Sequence, residues 1–216
     1  MAAIVFDLDG TLVDSAPDIH AALNLVMTGA GADPFDLAAV IGFIGNGIPK
    51  LVERAMRARD LPQAGHADLT ARMMQVYGAA SSVLTRPYPG LVPALAALRT
   101  KGHVLGVCTN KPEAPARDIL RALDLDAQFD VVIGGDSLAV KKPDPAPLQA
   151  AFAALPEGPQ IYVGDSETDA ETALRAGVPF LLFTEGYRKS PVEDLPQLAR
   201  FDHFDVLAPL VTELLA

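Results

Sequence analysis

Residues 4–12 read IVFDLDGTL, and this stretch decides the fold. Ile4, Val5 and Phe6 form an apolar run too short for a helix. Unbroken apolarity, in place of alternation, marks a strand covered on both faces. The run stops at Asp7, and a second acid, Asp9, precedes Gly10 and Thr11. A buried strand ending in carboxylates and a glycine turn delivers charge to the edge of a sheet. In an open parallel α/β sheet, that edge is where ligands bind.

The same pattern recurs outward along the chain. Short apolar runs occupy 104–108, 131–133, 161–163 and 179–183. Between them lie helical patterns, with Leu91, Leu95 and Leu98 on one face, then Ile119, Leu120 and Leu123, then 167–176 with acids in its first turn and Gly177 behind it. Alternation of strand and helix predicts an α/β fold with a Rossmann-like parallel sheet. Residues 15–85 differ, because they contain no strand run. Ser15 is placed to cap a helix with Pro17 in its first turn, and apolar faces recur at 48–56 and 69–80. The expectation is a core of residues 1–14 and 86–216, with an all-helical cap of residues 15–85 inserted after the first strand. The stretch 188–196, with two prolines, reads as a surface connection.

Composition narrows the chemistry. The chain has 216 residues, half of them apolar, and 17 Lys+Arg against 27 Asp+Glu give a net charge of −10. A nucleic-acid partner is not expected of so acidic a chain without a basic cluster. One cysteine, Cys108, and four histidines make neither a disulfide nor a Cys-rich zinc site. No apolar run approaches the roughly 18 residues of a membrane span. The N-terminus reads as a strand, not a leader, so the expectation is a cytoplasmic protein with no membrane partner.

The strand ends carry the polar groups. After the first come Asp7 and Asp9; after the second, Thr109-Asn110-Lys111; after the third, Gly134-Gly135-Asp136 and then Lys141-Lys142-Pro143; after the fourth, Gly164-Asp165-Ser166-Glu167-Thr168-Asp169. On one sheet edge these would gather several carboxylates, a hydroxyl, an amide and one or two lysines. Crowded carboxylates must protonate or share a cation, and hard oxygens suit Mg²⁺. A metal and a lysine would hold phosphoryl oxygens. A carboxylate would then attack phosphorus, and a second acid would serve the leaving group and the water.

FDLDGTL at 6–12, TNK at 109–111, KKPDP at 141–145 and GDSETD at 164–169 resemble, in order and spread, the motifs of the haloacid dehalogenase superfamily in its phosphatase branch. The helical insertion after the first motif is similar to that branch's cap. Within the branch, FIGNGIPKLVERAM at 43–56, YPGL at 88–91 and VIGGDSLAVKKPDP at 132–145 are most similar to the phosphoglycolate phosphatases. The resemblance implies these roles. Asp7 is nucleophile and Mg²⁺ ligand. Asp9 is general acid and base, and offers its backbone carbonyl to the metal. Thr109 and Asn110 hold phosphate oxygens, Lys142 neutralises the nucleophile and the phosphoryl group, and Asp165 ligates the metal. Asp169 orients metal-bound water or Lys142 and does not coordinate directly. The partner implied is a small phosphorylated metabolite. Dehalogenases of the family carry Tyr where Asp9 stands, and phosphonate hydrolases carry Ala, so Asp9 points to phosphate esters. A broad metabolite phosphatase and a non-catalytic phosphate-binding protein are the rival readings.

Gly45-Asn46-Gly47 reads equally as a flexible turn or as a substrate loop, and the resemblance favours the loop. Lys50 and Arg54, one helical turn apart, form either a solvated cationic face or a receptor for a substrate carboxylate.

Overall fold

The computed structural model describes residues 1–216. It divides into two compact units, Met1–Asp14 with Pro87–Ala216, and Ser15–Arg86. The first unit holds a six-stranded parallel sheet. Its strands are β1 (Ala3–Phe6), β2 (Val104–Cys108), β3 (Val131–Ile133), β4 (Gln160–Gly164), β5 (Phe180–Phe183) and β6 (Ala199–Phe201). In space they run β3-β2-β1-β4-β5-β6, so the order reverses at β1. That is the doubly wound arrangement whose crevice opens between β1 and β4 at the carboxyl ends. Register fixes the height of the groups there. Phe6 is level with Val107 on one side and Val163 on the other. Asp7 therefore leaves β1 beside Cys108 and Gly164, with Thr109 and Asp165 one residue further on.

Five strands lie where the apolar runs predict them. β6 is the difference: it has three residues, one of them the exposed Arg200, and it pairs on one side only. Arg200 breaks the apolar run that the equally short edge strand β3 keeps with Val131, Val132 and Ile133.

Period-two alternation sends strand residues to opposite faces. Ile4, Phe6, Leu105, Val107, Ile161, Val163, Leu181 and Phe183 pack in one cluster with residues 91–98, 116–120 and 207–211. Ala3, Val5, Cys108, Tyr162, Phe180 and Leu182 face residues 148–155 and 170–173. The sheet is covered on both sides, which is why its strands read as unbroken apolar runs.

The second unit contains four helices, Ala16–Gly29, Leu37–Phe43, Ile48–Ala58 and His66–Ala79. Leu23, Val26, Met27, Val52, Ala55, Met56 and Met73 make its core. Ser15 stands at the first helix's N-cap but makes no side-chain cap bond. The helix Leu37–Phe43, absent from the sequence reading, is capped by Asp36, whose Oδ1 accepts from the Ala39 N–H at 2.7 Å. Buried Asp18 accepts from the N–H groups of Leu84 and Thr85 and from the Thr85 hydroxyl, which ties the returning chain to the first helix. No helix of either unit is long and apolar enough to cross a membrane.

Candidate active site

The loop after β1 is a tight turn. Leu12 N–H and Val13 N–H both reach the Leu8 carbonyl, and Gly10 N–H reaches that of Val13. Gly10 adopts a φ of +89°, and a Cβ there would stand 2.5 Å from Asp165 Oδ2. The turn thus requires glycine twice over, for its backbone and for the approach of Asp165.

Asp7 and Lys142 form the centre. Lys142 Nζ stands 3.0 Å from Asp7 Oδ1, at ion-pair distance. The alignment makes no hydrogen bond, and Oδ1 remains a buried oxygen without one. Lys142 donates instead to Asp169 Oδ1 at 2.7 Å and to the Tyr162 hydroxyl at 2.9 Å. Tyr162 in turn donates to Asp169 Oδ1 at 2.7 Å. Asp169 Oδ2 accepts from the Ser166 hydroxyl at 2.6 Å and from its N–H. These last contacts close a capping box at the start of the helix Glu167–Ala176. Both oxygens of Asp169 are committed.

Asp165 precedes the cap. Its Oδ1 accepts from the Thr11 hydroxyl at 2.6 Å, and its Oδ2 from the Tyr187 N–H at 2.6 Å. Tyr187 follows β5, and its hydroxyl donates to Asp14 Oδ1 at 2.7 Å. Gly186 lets this segment approach, since a Cβ there would meet Asp165 Cβ and the Gly10 carbonyl at 2.3 Å. The fifth strand therefore contributes to the site through backbone, although its end carries no motif.

Asp9 faces Lys111. The lysine donates to both carboxylate oxygens, at 2.7 and 2.8 Å. The sequence reading left Lys111 without a role. Its signal was the position two residues beyond β2, on the same strand end as Thr109. Thr109 is buried, and its Oγ1 accepts from the Lys111 N–H at 3.2 Å. Asn110 donates to the Lys142 carbonyl at 3.0 Å, which joins the second and third motif loops.

Charge balance sorts the carboxyls. Burial raises Asp7 to about 7 against the pull of Lys142. Burial, with Asp169 and Asp7 nearby, raises Asp165 well above its ordinary value. Burial works the same way on Asp169, but Lys142 and the hydrogen bonds outweigh it and hold that group low. Burial would lower Lys142; Asp169 and Asp7 overcome it and leave the ammonium above its usual range. Burial pushes the Cys108 thiol up to about 12, so it packs as an apolar group.

Oxygen atoms of Asp7, Asp165 and Asp169 lie within 4.8 Å of one another, close enough to share a metal ion. The donors fit a hard divalent cation. Asp7 keeps a buried oxygen without a hydrogen bond, and Asp165 is a carboxyl pushed toward protonation by its burial and then by Asp169 and Asp7. Asp169 is the poorest donor of the three, because Lys142, Tyr162 and Ser166 already occupy it.

In the helical unit, Gly45 and Gly47 have φ of +115° and +84°, and Asn46 lies between them. Arg54 donates to Asn46 Oδ1 at 2.6 Å and to the Phe43 carbonyl at 2.8 Å. Lys50 pairs with Glu53 at 2.7 Å on the surface. The two cations are thus engaged within their own unit, Arg54 as a brace for the Gly45–Gly47 loop.

The chain is similar to known proteins over most of its length. The family model for haloacid dehalogenase-like hydrolases matches residues 4–183. A phosphoglycolate phosphatase of Cereibacter sphaeroides (strain ATCC 17025) is 52% identical over 218 residues, covering 100% of both chains. One from Rhodospirillum rubrum is 45% identical, over 94% of this chain and 87% of its own. The crystal structure of a predicted phosphoglycolate phosphatase from Haemophilus somnus 129PT superposes with a TM-score of 0.91 at 31% identity, covering 97% of each chain. The chain belongs to the haloacid dehalogenase-like hydrolase family.

Proposed function

We propose that the chain is a Mg²⁺-dependent phosphomonoesterase that acts through an aspartyl phosphate on Asp7, with 2-phosphoglycolate as its substrate. The observation that carries the reading is Asp7 itself: a buried carboxylate at the switch point of the sheet, beside Lys142, with one oxygen lacking a hydrogen bond. The substrate assignment is supported by the full-length likeness to relatives that bear that activity's name.

Asp7, Asp165 and the backbone carbonyl of Asp9 would hold the metal. When bound, Mg²⁺ supplies positive charge to phosphoryl oxygens and to the carboxylates around it. The chain's own groups do the rest. Thr109 and Asn110 orient the phosphoryl oxygens, and Lys142 adds a fixed ammonium behind them. A carboxylate oxygen of Asp7 attacks phosphorus, the ester P–O bond breaks, and its electron pair leaves on the alkoxide. Asp9 gives that oxygen a proton. Water then attacks the phosphorus of the phosphoaspartate and returns a proton to Asp9, and the P–O bond to Asp7 breaks. Asp169 and Tyr162 act beneath the chemistry by fixing Lys142. Gly45, Asn46 and Gly47 form the substrate loop of the helical unit, held in shape by Arg54.

Phosphate release tests the reading. With Mg²⁺ the protein should hydrolyse phosphoglycolate with a clearly higher kcat/KM than glycerol phosphate or glucose phosphates, and chelation should abolish turnover. Equal kcat/KM across those esters would leave a broad metabolite phosphatase.

A further inference from the structure

Tyr187 joins two loops of the site, and its side chain takes part as well as its backbone. Its N–H donates to Asp165 Oδ2 at 2.6 Å, beyond the end of β4. Its ring lies against the turn after β1, where a Cβ on Gly10 would stand 2.7 Å from Tyr187 Cδ2. Its hydroxyl donates to Asp14 Oδ1 at 2.7 Å, where that turn ends. The residue is buried, and it follows the span 4–183 that the family model matches. We propose that Tyr187 is a positioning residue for the metal site, which sets Asp165 against the turn that carries Asp7 and Asp9. The inference rests on the Mg²⁺ reading above and names a residue that acts through Asp165.

The peptide that carries this N–H is steered from the tyrosine side. Gly186 precedes it and brings no side chain, and a Cβ there would meet Asp165 Cβ and the Gly10 carbonyl at 2.3 Å. The phenol supplies what glycine cannot: a rigid ring on the turn and a polar tip that finds buried partners. The Tyr187 hydroxyl also shares a hydrogen bond with Tyr88, whose ring packs against Phe183 of β5 with centroids 4.8 Å apart. Further along, the N–H groups of Lys189 and Ser190 both donate to Glu167 Oε1, at 2.6 and 2.5 Å. Those bonds tie the same segment to the helix that starts just after Asp165. The segment is thus held on the β4 side by Asp165 and Glu167, and on the β1 side by Gly10 and Asp14. Tyr187 is the residue that reaches both.

Coordination chemistry supplies the reason for such a brace. Asp7 and Asp165 leave different strands, so their separation depends on how two loops are held together. The Thr11 hydroxyl and the Tyr187 N–H each take one oxygen of Asp165. A carboxylate oxygen can accept more than one partner, so both oxygens can still face a cation while their direction is fixed. Mg²⁺ demands near-ideal octahedral geometry and tolerates drift of a ligand poorly. Groups that orient a ligand from behind therefore show up in metal affinity, although they touch no metal.

The test measures Mg²⁺ binding by calorimetry, without substrate, on wild type, Tyr187→Phe, Asp14→Asn and Asp14→Ala, with folding checked by circular dichroism and thermal melts. Tyr187→Phe keeps the ring and the N–H, and should weaken Mg²⁺ affinity by about ten-fold, the low end for a group that supports a metal ligand. Asp14→Asn and Asp14→Ala lose the same charge, but only asparagine keeps an oxygen for the tyrosine hydroxyl. Alanine should therefore bind Mg²⁺ several-fold more weakly than asparagine, a comparison that holds even where Tyr187→Phe does not fold. Hydrogen exchange gives a second readout: the amide of residue 187 should exchange faster in Tyr187→Phe, while amides of β2 stay unchanged. A side chain that only adds stability would lower Tm and move neither readout. Wild-type Mg²⁺ affinity in Tyr187→Phe, or equal affinities in the two Asp14 variants, would overturn the inference alone. If wild type binds no Mg²⁺, the metal reading fails, and the inference falls with it.

Discussion

Tyr162→Phe isolates the support beneath the site. Tyr162 is fully buried in the middle of β4, and its ring packs against Phe180 with centroids 5.9 Å apart. Phenylalanine keeps that ring, so no cavity forms. What disappears is one hydroxyl that accepts from Lys142 at 2.9 Å and donates to Asp169 Oδ1 at 2.7 Å. Hydrogen bonds to charged groups contribute about 1.5–3 kcal/mol each. The two ions remain paired with each other at 2.7 Å, so neither is orphaned. The net cost is therefore nearer one such bond than two, about 2–3 kcal/mol. For a chain of this size that lowers Tm by roughly 4–12 °C. Thermal melts by circular dichroism at 222 nm read the change directly. Activity should fall chiefly in kcat, because the hydroxyl fixes Lys142 and touches no substrate. An unchanged Tm with an unchanged kcat would show that the hydroxyl carries no part of the buried network.

Asp7→Asn should leave the fold intact and abolish steady-state phosphate release; turnover by protein checked for deamidation would remove Asp7 as nucleophile. Mg²⁺ affinity should weaken as pH falls through about 7, because a proton competes for Asp7, whose pKa in the metal-free protein is raised to about 7. For such a raised carboxyl the folded state holds more protons than the unfolded one, so its contribution to metal-free stability falls as pH rises from 3.8 toward 7. Calorimetric titrations in two buffers should detect the released proton, and pH-independent affinity across this range would contradict the ligand assignment. Arg54→Met removes the donors to Asn46 and Phe43, so hydrogen exchange at 44–47 should quicken by about ten-fold, while residues in β1 and β4 stay unchanged; equal exchange in the loop would show that Arg54 does not brace it.

The fold was legible wherever burial on both faces left an unbroken apolar run, as at Ile4–Phe6 and at Val107 and Cys108. β6 was not, since Arg200 interrupts its three residues, and the helix Leu37–Phe43 was not, since seven residues with Val40 alone buried offer too few periods to count. The acids and Lys142 were legible because they belong to motifs at strand ends. Thr11 stood inside a motif, but its service to Asp165 depends on a contact across 154 residues. Tyr162 read as a core aromatic, and its hydroxyl's direction follows only from the register of β4. Tyr187 acts through its backbone N–H, which every residue but proline possesses, so its side-chain identity carried no signal for that bond. Lys111 was visible as part of a motif, but a lysine's target is set by tertiary placement and its flexible stem leaves no periodic trace.

The charges of the site favour a cation among its carboxylates. Asp7, Asp165 and Asp169 are buried with a single ammonium, Lys142, among them. Ionised together, three carboxylates and one ammonium leave two negative charges in a region of low dielectric, and a divalent cation neutralises them. The pKa directions show how the shortage is distributed. Asp169 takes the lysine and is held low, whereas Asp7 and Asp165 are both driven upward. Asp169 is also fixed by Ser166, which holds its Oδ2 through the capping box and leaves Oδ1 toward Lys142. Local helix chemistry thus decides which carboxylate keeps the lysine. Asp7, 3.0 Å from the same lysine but with no hydrogen bond from it, and Asp165 are the two proposed metal ligands. Moving the cap to another residue, by exchanging Ser166 and Asp169, would be expected to disturb metal affinity as much as helix stability, because one set of contacts serves both.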